Sequence, residues 1–104
     1  MNYMEWFHNR VAELRIQKGV SARDMSLSLG QSESYINKIE NKRTLPSMTG
    51  FIYICEYLGI TPKEFFDTEM IDPTQVRGIT QEAVKLTEEQ ADLILRLMKE
   101  MTSK

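Results

Sequence analysis

The stretch from Ser21 to Thr44 constrains this chain most, because it is typical of two short helices joined by a tight turn. Ser21 is expected to cap the first helix, with Asp24 three residues later. Gly30 is expected to end that helix, since glycine adopts the left-handed conformation that a helix end often needs. The stretch therefore predicts two helices held at an angle by a short turn.

The second helix of this stretch is expected to begin after Ser32, which would cap it. Ile36 and Ile39 would face inward, and a helix this short needs such a docking face because it is unstable alone in water. The polar residues between them would then face outward, namely Glu33, Ser34, Asn37 and Lys38. An α-helix fits the major groove of DNA, where polar side chains contact base edges. The outward face is therefore a candidate DNA-contacting surface.

Four segments, in order along the chain, resemble the helix-turn-helix of the Cro/phage-repressor (XRE-like) family: RVAELRIQKGVS, the turn at Gly30, YINKIENKR and YLGITPKEFF. Each segment alone is common, and their order and spacing carry the resemblance, which covers residues 10–67. The resemblance implies an all-α, lambda-repressor-like five-helix domain that binds specific DNA sequences, usually as a dimer.

The outward face and the resemblance together predict which side chains contact DNA. The predicted base-contacting residues are Glu33, Ser34, Tyr35, Asn37 and Lys38. A glutamate can accept from cytosine, an asparagine can pair with adenine and a lysine can donate to guanine. The predicted phosphate-contacting residues are Ser21, Arg23, Gln31, Ser32, Asn41, Lys42, Arg43 and Thr44. A solvated surface is the alternative for any one of them, and cations near residues 41–44 would also suit a helix C-terminus.

The resemblance also implies one structural ion pair and exposes two departures from the family. Arg15 falls where the family has an arginine that pairs with a glutamate of the second helix, here Glu40; the alternative is two solvated charges. Ala22 stands where the family often has a phosphate-contacting glutamine. Glu33 stands where a neutral residue is more common, and its carboxylate would give specificity while repelling phosphates.

Periodicity predicts three further helices in the same domain. The first spans Tyr3–Lys18, and the fourth spans Ser47–Leu58. The inward stripe predicted for the fourth helix is Met48, Phe51, Ile52, Cys55 and Leu58, with Ile54 and Tyr57 outside it and available for a dimer contact. The fifth helix is predicted from Thr61, Pro62 and Glu64, which form a capping box with proline at the first position, and it returns Phe65 and Phe66 to the core.

The domain is expected to end at residue 67, followed by a linker over 68–79 and a C-terminal helical extension over 80–104. Thr87 and Gln90 form a second capping box before a helix over Glu88–Met101. Its apolar residues cover more than one face, which favours contact with the same helix of a second subunit. The predicted dimer interface is Leu93, Ile94, Leu97, Met98 and Met101; the alternative is a helix that only covers the domain core.

Composition narrows the class of protein. Residues 1–61 hold seven Lys or Arg against six Asp or Glu, and residues 62–104 hold six against nine, so the acidic half should face away from DNA. His8 and Cys55 are the single histidine and cysteine, so we expect no metal site, no cofactor and no enzymatic activity, with Cys55 a small buried hydrophobe. No apolar run is long enough to span a membrane and no signal peptide opens the sequence, so a cytoplasmic location is expected.

The sequence therefore favours a transcriptional regulator, most simply a repressor. It would bind a roughly palindromic operator in double-stranded DNA as a homodimer, through a recognition helix over residues 32–41. The alternative is a helix-turn-helix protein-interaction module such as an antitoxin or adaptor, which the missing glutamine at Ala22, the acidic Glu33 and the pI of about 5.4 support.

Overall fold

A computed structural model describes residues 2–67, 69 and 72–103, and all regular structure within these ranges is helical. The helices are α1 (Tyr3–Lys18), α2 (Ala22–Ser28), α3 (Tyr35–Glu40), α4 (Met48–Leu58), α5 (Pro62–Phe65), α6 (Pro73–Ala83) and α7 (Glu88–Thr102). The all-α class predicted from the sequence is confirmed. The chain divides into two compact units, residues 1–73 and 74–104.

Hydroxyl side chains cap three of the helices at the positions predicted from the sequence. Ser21 Oγ accepts from the backbone N–H of Asp24 at 3.0 Å, at the start of α2. Thr61 and Thr87 each form a capping box with the residue three positions later, at the starts of α5 and α7. Each cap satisfies backbone N–H groups that a helix leaves unpaired in its first turn.

Helices α1–α5 enclose the core of the first unit. Its fully or nearly buried apolar residues are Val11, Leu14, Met25, Ile36, Ile39, Phe51, Ile54, Cys55, Leu58, Ile60 and Phe65. Cys55 is buried as predicted, and burial raises the pKa of its thiol to about 11. The thiol therefore stays protonated at neutral pH.

The inward face of α4 differs from the predicted stripe. Ile54 is fully buried, whereas Met48 is 76 % exposed and Ile52 is 37 % exposed. The helix carries apolar residues around much of its circumference, so periodicity alone could not decide which face is buried. The proposed role of Ile54 and Tyr57 in a dimer contact is wrong for Ile54, which lies in the core, and Tyr57 is half-buried against that core.

A buried arginine joins α5 to α1. Arg10 is 4 % exposed; its Nε donates to the backbone oxygen of Phe65 at 2.9 Å and its Nη2 to that of Glu64 at 3.0 Å. The guanidinium thus donates to two backbone oxygens at the end of α5, where a helix leaves carbonyls without partners of its own.

Aromatic side chains also join α5 to α1. Trp6 stacks on Phe66 with ring centroids 5.9 Å apart. Phe66 was expected in the core but is 53 % exposed, so only Phe65 is buried.

The second unit contains two helices, and the first of them overlaps the predicted linker. Residues 73–79 are helical in α6, because Pro73 suits the first turn of a helix, where its missing N–H loses no hydrogen bond. The predicted linker residues 68, 70 and 71 lie outside the described residues. Helix α7 buries none of its side chains. Among the described helices, none has the length and apolar character to cross a membrane.

Candidate nucleic-acid interface

A hydroxyl of α2 holds the start of α3. Ser26 is fully buried; its Oγ donates to the backbone oxygen of Ala22 at 2.7 Å and accepts from the backbone N–H of Ile36 at 2.9 Å. This bond satisfies one of the N–H groups that the first turn of α3 leaves unpaired. Helix α3 begins at Tyr35, so the predicted cap by Ser32 is wrong.

The segment predicted as one recognition helix, residues 32–41, is a turn followed by a short helix. The backbone N–H of Tyr35 donates to the backbone oxygen of Ser32 at 3.1 Å, which closes the turn. Ser34 stands at the cap position, but its side chain makes no capping bond with the described residues. Sequence reasoning missed Ser26. Its only sequence signal is a small polar residue inside an otherwise regular helix, which hydrogen-bonds to the carbonyl four residues earlier.

Two side chains of α1 hold the end of α3. Arg15 donates to Glu40 through Nε at 2.6 Å and through Nη2 at 3.0 Å, and its Nη1 donates to the backbone oxygen of Val20 at 2.9 Å. The bond from Glu40 raises the pKa of Arg15, and both side chains are largely shielded from water. His8 is buried, and its Nδ1 lies 2.6 Å from the backbone oxygen of Ile39. Since a carbonyl only accepts, Nδ1 carries the proton.

The outward face of α3 and its preceding turn presents three of the five predicted base-contacting residues to solvent. Glu33, Asn37 and Lys38 are exposed, while Ser34 is half-buried. The residue that follows α3 orients Asn37, because Asn41 Nδ2 donates to Asn37 Oδ1 at 2.8 Å. Hydrogen-bond donors and acceptors are thus exposed together on α3 and the turn before it.

Tyr35 does not follow this outward row. It is half-buried against the core of the first unit, and burial raises the pKa of its hydroxyl. Its Oη lies 2.8 Å from the point where a Cβ on Gly50 would stand, so the absence of a side chain at Gly50 makes room for it. Tyr35 therefore packs α3 against the first turn of α4 rather than lying in the row of exposed polar side chains.

Two of the predicted DNA-contacting cations are paired with carboxylates of other elements. Arg23 Nε lies 3.2 Å from Glu33 Oε2, and Lys42 Nζ lies 2.9 Å from Glu5 Oε1 on the first turn of α1. All four side chains are about half or more exposed. The structure thus brings Arg23, predicted at a phosphate, next to Glu33, predicted at a base.

The remaining predicted phosphate-contacting residues are exposed to solvent. Within residues 2–67, 69 and 72–103, neither Lys38 nor Arg43 forms an ion pair. The other predicted phosphate-contacting residues are exposed as well: Gln31 and Ser32 before α3, Asn41 and Thr44 after it, and Ser21 at the start of α2. Ser21 also serves as the cap of α2, which leaves its hydroxyl oxygen engaged with a backbone N–H. Along the chain, cations and small polar groups therefore flank the base-contacting row on both sides.

Residues 9–71, more than half of the chain, match the model of a family described as a helix-turn-helix domain. The chain belongs to this family, and its domain is of the XRE-like type. No curated protein and no solved structure is significantly similar to the chain. The helix-turn-helix domain indicates a DNA-binding regulator.

The Arg15–Glu40 pair is expected to stabilise the fold measurably. Arg15→Ala should lower the free energy of unfolding by roughly 2 kcal/mol, between the values typical of surface and buried pairs, because it leaves the Glu40 carboxylate shielded without its partner. Chemical denaturation of the two single variants and the double variant measures the coupling. Lys85→Ala, which breaks the exposed pair with Glu82, is the control and should have little effect. Additive effects of the Arg15 and Glu40 substitutions would contradict the prediction.

The contact between Tyr35 and Gly50 predicts a second coupling. Gly50→Ala gains helix propensity of about 1 kcal/mol, but the new methyl group meets the Tyr35 hydroxyl. In a Tyr35→Phe background the hydroxyl is absent, so the same substitution should be more favourable there by roughly 1 kcal/mol. Thermal unfolding of the four proteins measures this difference. An equal effect of Gly50→Ala in both backgrounds would show that the hydroxyl does not lie over Gly50.

Proposed function

We propose that this chain is a sequence-specific transcriptional regulator that binds an operator through α3 and the turn before it. The observation that carries the proposal is the exposed row of Glu33, Asn37 and Lys38, on the turn before α3 and on α3 itself, a helix held by side chains of α1 and α2 and packed against α4. Side chains that contact bases must be held in register with the groove, and the bonds from Ser26 and Arg15 restrict the movement of α3. A merely solvated surface needs no such support.

The chemistry of the row assigns a role to each side chain. Lys38 donates to the O6 and N7 of guanine, and Asn37 pairs with adenine. Glu33 accepts from the amino group of cytosine, while Arg23 beside it limits repulsion from nearby phosphates. Arg43 and Lys42, in the loop after α3, lie along the phosphate backbone and fix the register of the helix without contributing sequence information.

We propose that the second unit joins two copies of the chain. Its residues 74–104 are fewer than the roughly 40 that usually sustain an independent core without oligomerisation. Helix α7 exposes its apolar residues Leu93, Ile94, Leu97, Met98 and Met101. An open groove of about 690 Å³ between α6 and α7 is lined mainly by apolar side chains, among them Ile79, Leu86 and Ile94. The same two helices of a second copy would cover these surfaces.

A homodimer with two-fold symmetry presents two α3 helices to the DNA. They would enter major grooves about one helical turn, ~34 Å, apart, so the operator would be roughly palindromic. Repression by occupying a promoter needs no further activity. It is therefore the simplest mode of action for the described part of the chain.

The second candidate function is a protein-interaction module such as an antitoxin or adaptor. The first unit favours it through one observation, an apolar groove of about 340 Å³ lined mainly by aromatic and aliphatic side chains, among them Tyr3, Met4, Phe7, Met48 and Phe66. Exposed apolar surface of this kind often marks a protein-binding site. Stoichiometric co-purification with one partner, together with no sequence preference on DNA, would favour this function over operator binding.

Selection from random duplexes, followed by titration of the enriched sequence at several salt concentrations, tests the regulator proposal. An inverted repeat should be enriched, and log affinity should fall linearly with log salt because phosphate contacts release counterions. Lys38→Ala should relax the preference at one base pair and cost about 1–3 kcal/mol on the preferred sequence. Arg43→Ala should weaken all sequences alike and flatten the salt dependence. No enrichment would contradict the proposal.

The dimer proposal makes a separate prediction about association. Leu97→Glu places a charge within the apolar surface of α7 and should convert a dimer into a monomer at micromolar concentration, because burying an unpaired carboxylate is costly. Sedimentation equilibrium measures the mass. Val84→Glu, at a 78 % exposed position outside the predicted interface, adds the same charge and should leave the mass unchanged. A Leu97→Glu protein that remains dimeric would show that α7 is not the interface.

A further inference from the structure

The loop after α3 contains a lysine in a backbone conformation that glycine occupies elsewhere in this chain. Lys42 has φ of 63°, and the helices α1, α2 and α4 end with left-handed glycines at 19, 30 and 59. The end of α3 has the same backbone hydrogen bonds as the end of α2. Lys42 N donates to Ile39 O at 3.1 Å and Arg43 N to Lys38 O at 2.9 Å, as Gly30 N donates to Leu27 O and Gln31 N to Ser26 O. A side chain with a Cβ is disfavoured in this conformation. A strained non-glycine residue points to a use for its side chain.

The ammonium group of Lys42 is engaged by a carboxylate of α1. Its Nζ lies 2.9 Å from Glu5 Oε1, and this ammonium lowers the pKa of Glu5. Both side chains are about half exposed, so the pair contributes little to the stability of the fold. Weak stabilisation does not account for a lysine at a position that favours glycine. A role of the Lys42 side chain in binding accounts better for the lysine at this position.

We propose that Glu5 competes with DNA phosphate for Lys42 and thereby restrains DNA binding; the proposal rests on the DNA-binding function proposed above. A carboxylate and a phosphate offer the same kind of anionic oxygen to an ammonium group. In the free protein, Glu5 holds an oxygen at hydrogen-bonding distance from Lys42 Nζ. DNA must either displace that carboxylate or accept its negative charge beside a phosphate. Glu5 is thus a residue of α1 that sets the affinity of the interface.

Arg23 and Glu33 form a similar pair, but this pair gives a less clear test of competition between a carboxylate and DNA phosphate. Glu33 is a candidate base contact, so its removal would change affinity and sequence preference together. Glu5 lies on α1, outside the predicted row of base contacts. Its effect should therefore be the same on every sequence that the protein binds, because phosphate contacts carry no sequence information. Lys42 is the side chain through which the effect should act.

Glu5→Gln removes the competing charge and keeps the shape of the side chain. On the sequence enriched by the wild-type protein, it should tighten binding about two- to fivefold, the range that corresponds to a surface ion pair. It should also steepen the plot of log affinity against log salt, by at most about 0.9 for each Lys42, because Glu5 no longer weakens the phosphate contact of that lysine. Glu56→Gln, at an exposed position on α4, makes the same change in net charge and should match the wild type.

A double-mutant cycle separates competition for Lys42 from general repulsion of DNA by Glu5. In a Lys42→Gln background, Glu5→Gln should no longer tighten binding, because the group for which the carboxylate competes is absent. Equal tightening in both backgrounds, or no tightening in the wild-type background, would overturn the inference while leaving operator binding intact. Failure of the wild-type protein to prefer any duplex would instead refute the proposed function, and the inference with it. Thermal unfolding of each variant verifies that the first unit is folded.

Discussion

The candidate interface depends on how α3, a helix of six residues, is held in place. A helix of this length does not persist alone in water, because forming its first turn costs more than its few hydrogen bonds return. Its two isoleucines are buried, Ser26 supplies a partner at its start, and Arg15 binds its last residue, Glu40. The polar row therefore has a defined position because α1, α2 and α4 impose it.

Signals that act over a few residues made much of the fold predictable. The caps at Ser21, Thr61 and Thr87, and the left-handed glycines at or just after the ends of α1, α2 and α4, act through hydrogen bonds and backbone conformations of adjacent residues. The contact between Arg15 and Glu40 joins residues far apart in sequence. Only the resemblance to a family implied it, since spacing carries no information on such a pair.

Features that need tertiary packing were not predictable. Ile54 and Ile52 are both apolar, and the positions of neighbouring helices decide that Ile54 is the buried one. Tyr35 packs towards Gly50 rather than outward, which follows from the crossing of α3 and α4 and not from helical periodicity. The carboxylate of Glu5 beside Lys42 likewise depends on how α1 lies against α3. Long-range contacts thus shaped the site beyond what the local sequence indicated.

The packing of Trp6 has a spectroscopic consequence. It is the single tryptophan of the chain, and its indole lies between α1 and α5, edge-on to Phe65 and stacked on Phe66. An indole that is partly shielded from water emits at shorter wavelength than one that is fully exposed, so the fluorescence of Trp6 reports the junction of α1 with α5. Residues 74–104 contain no tryptophan, so they give no such emission of their own. Intrinsic emission and far-ultraviolet circular dichroism together would therefore separate the unfolding of the first unit from that of the whole chain.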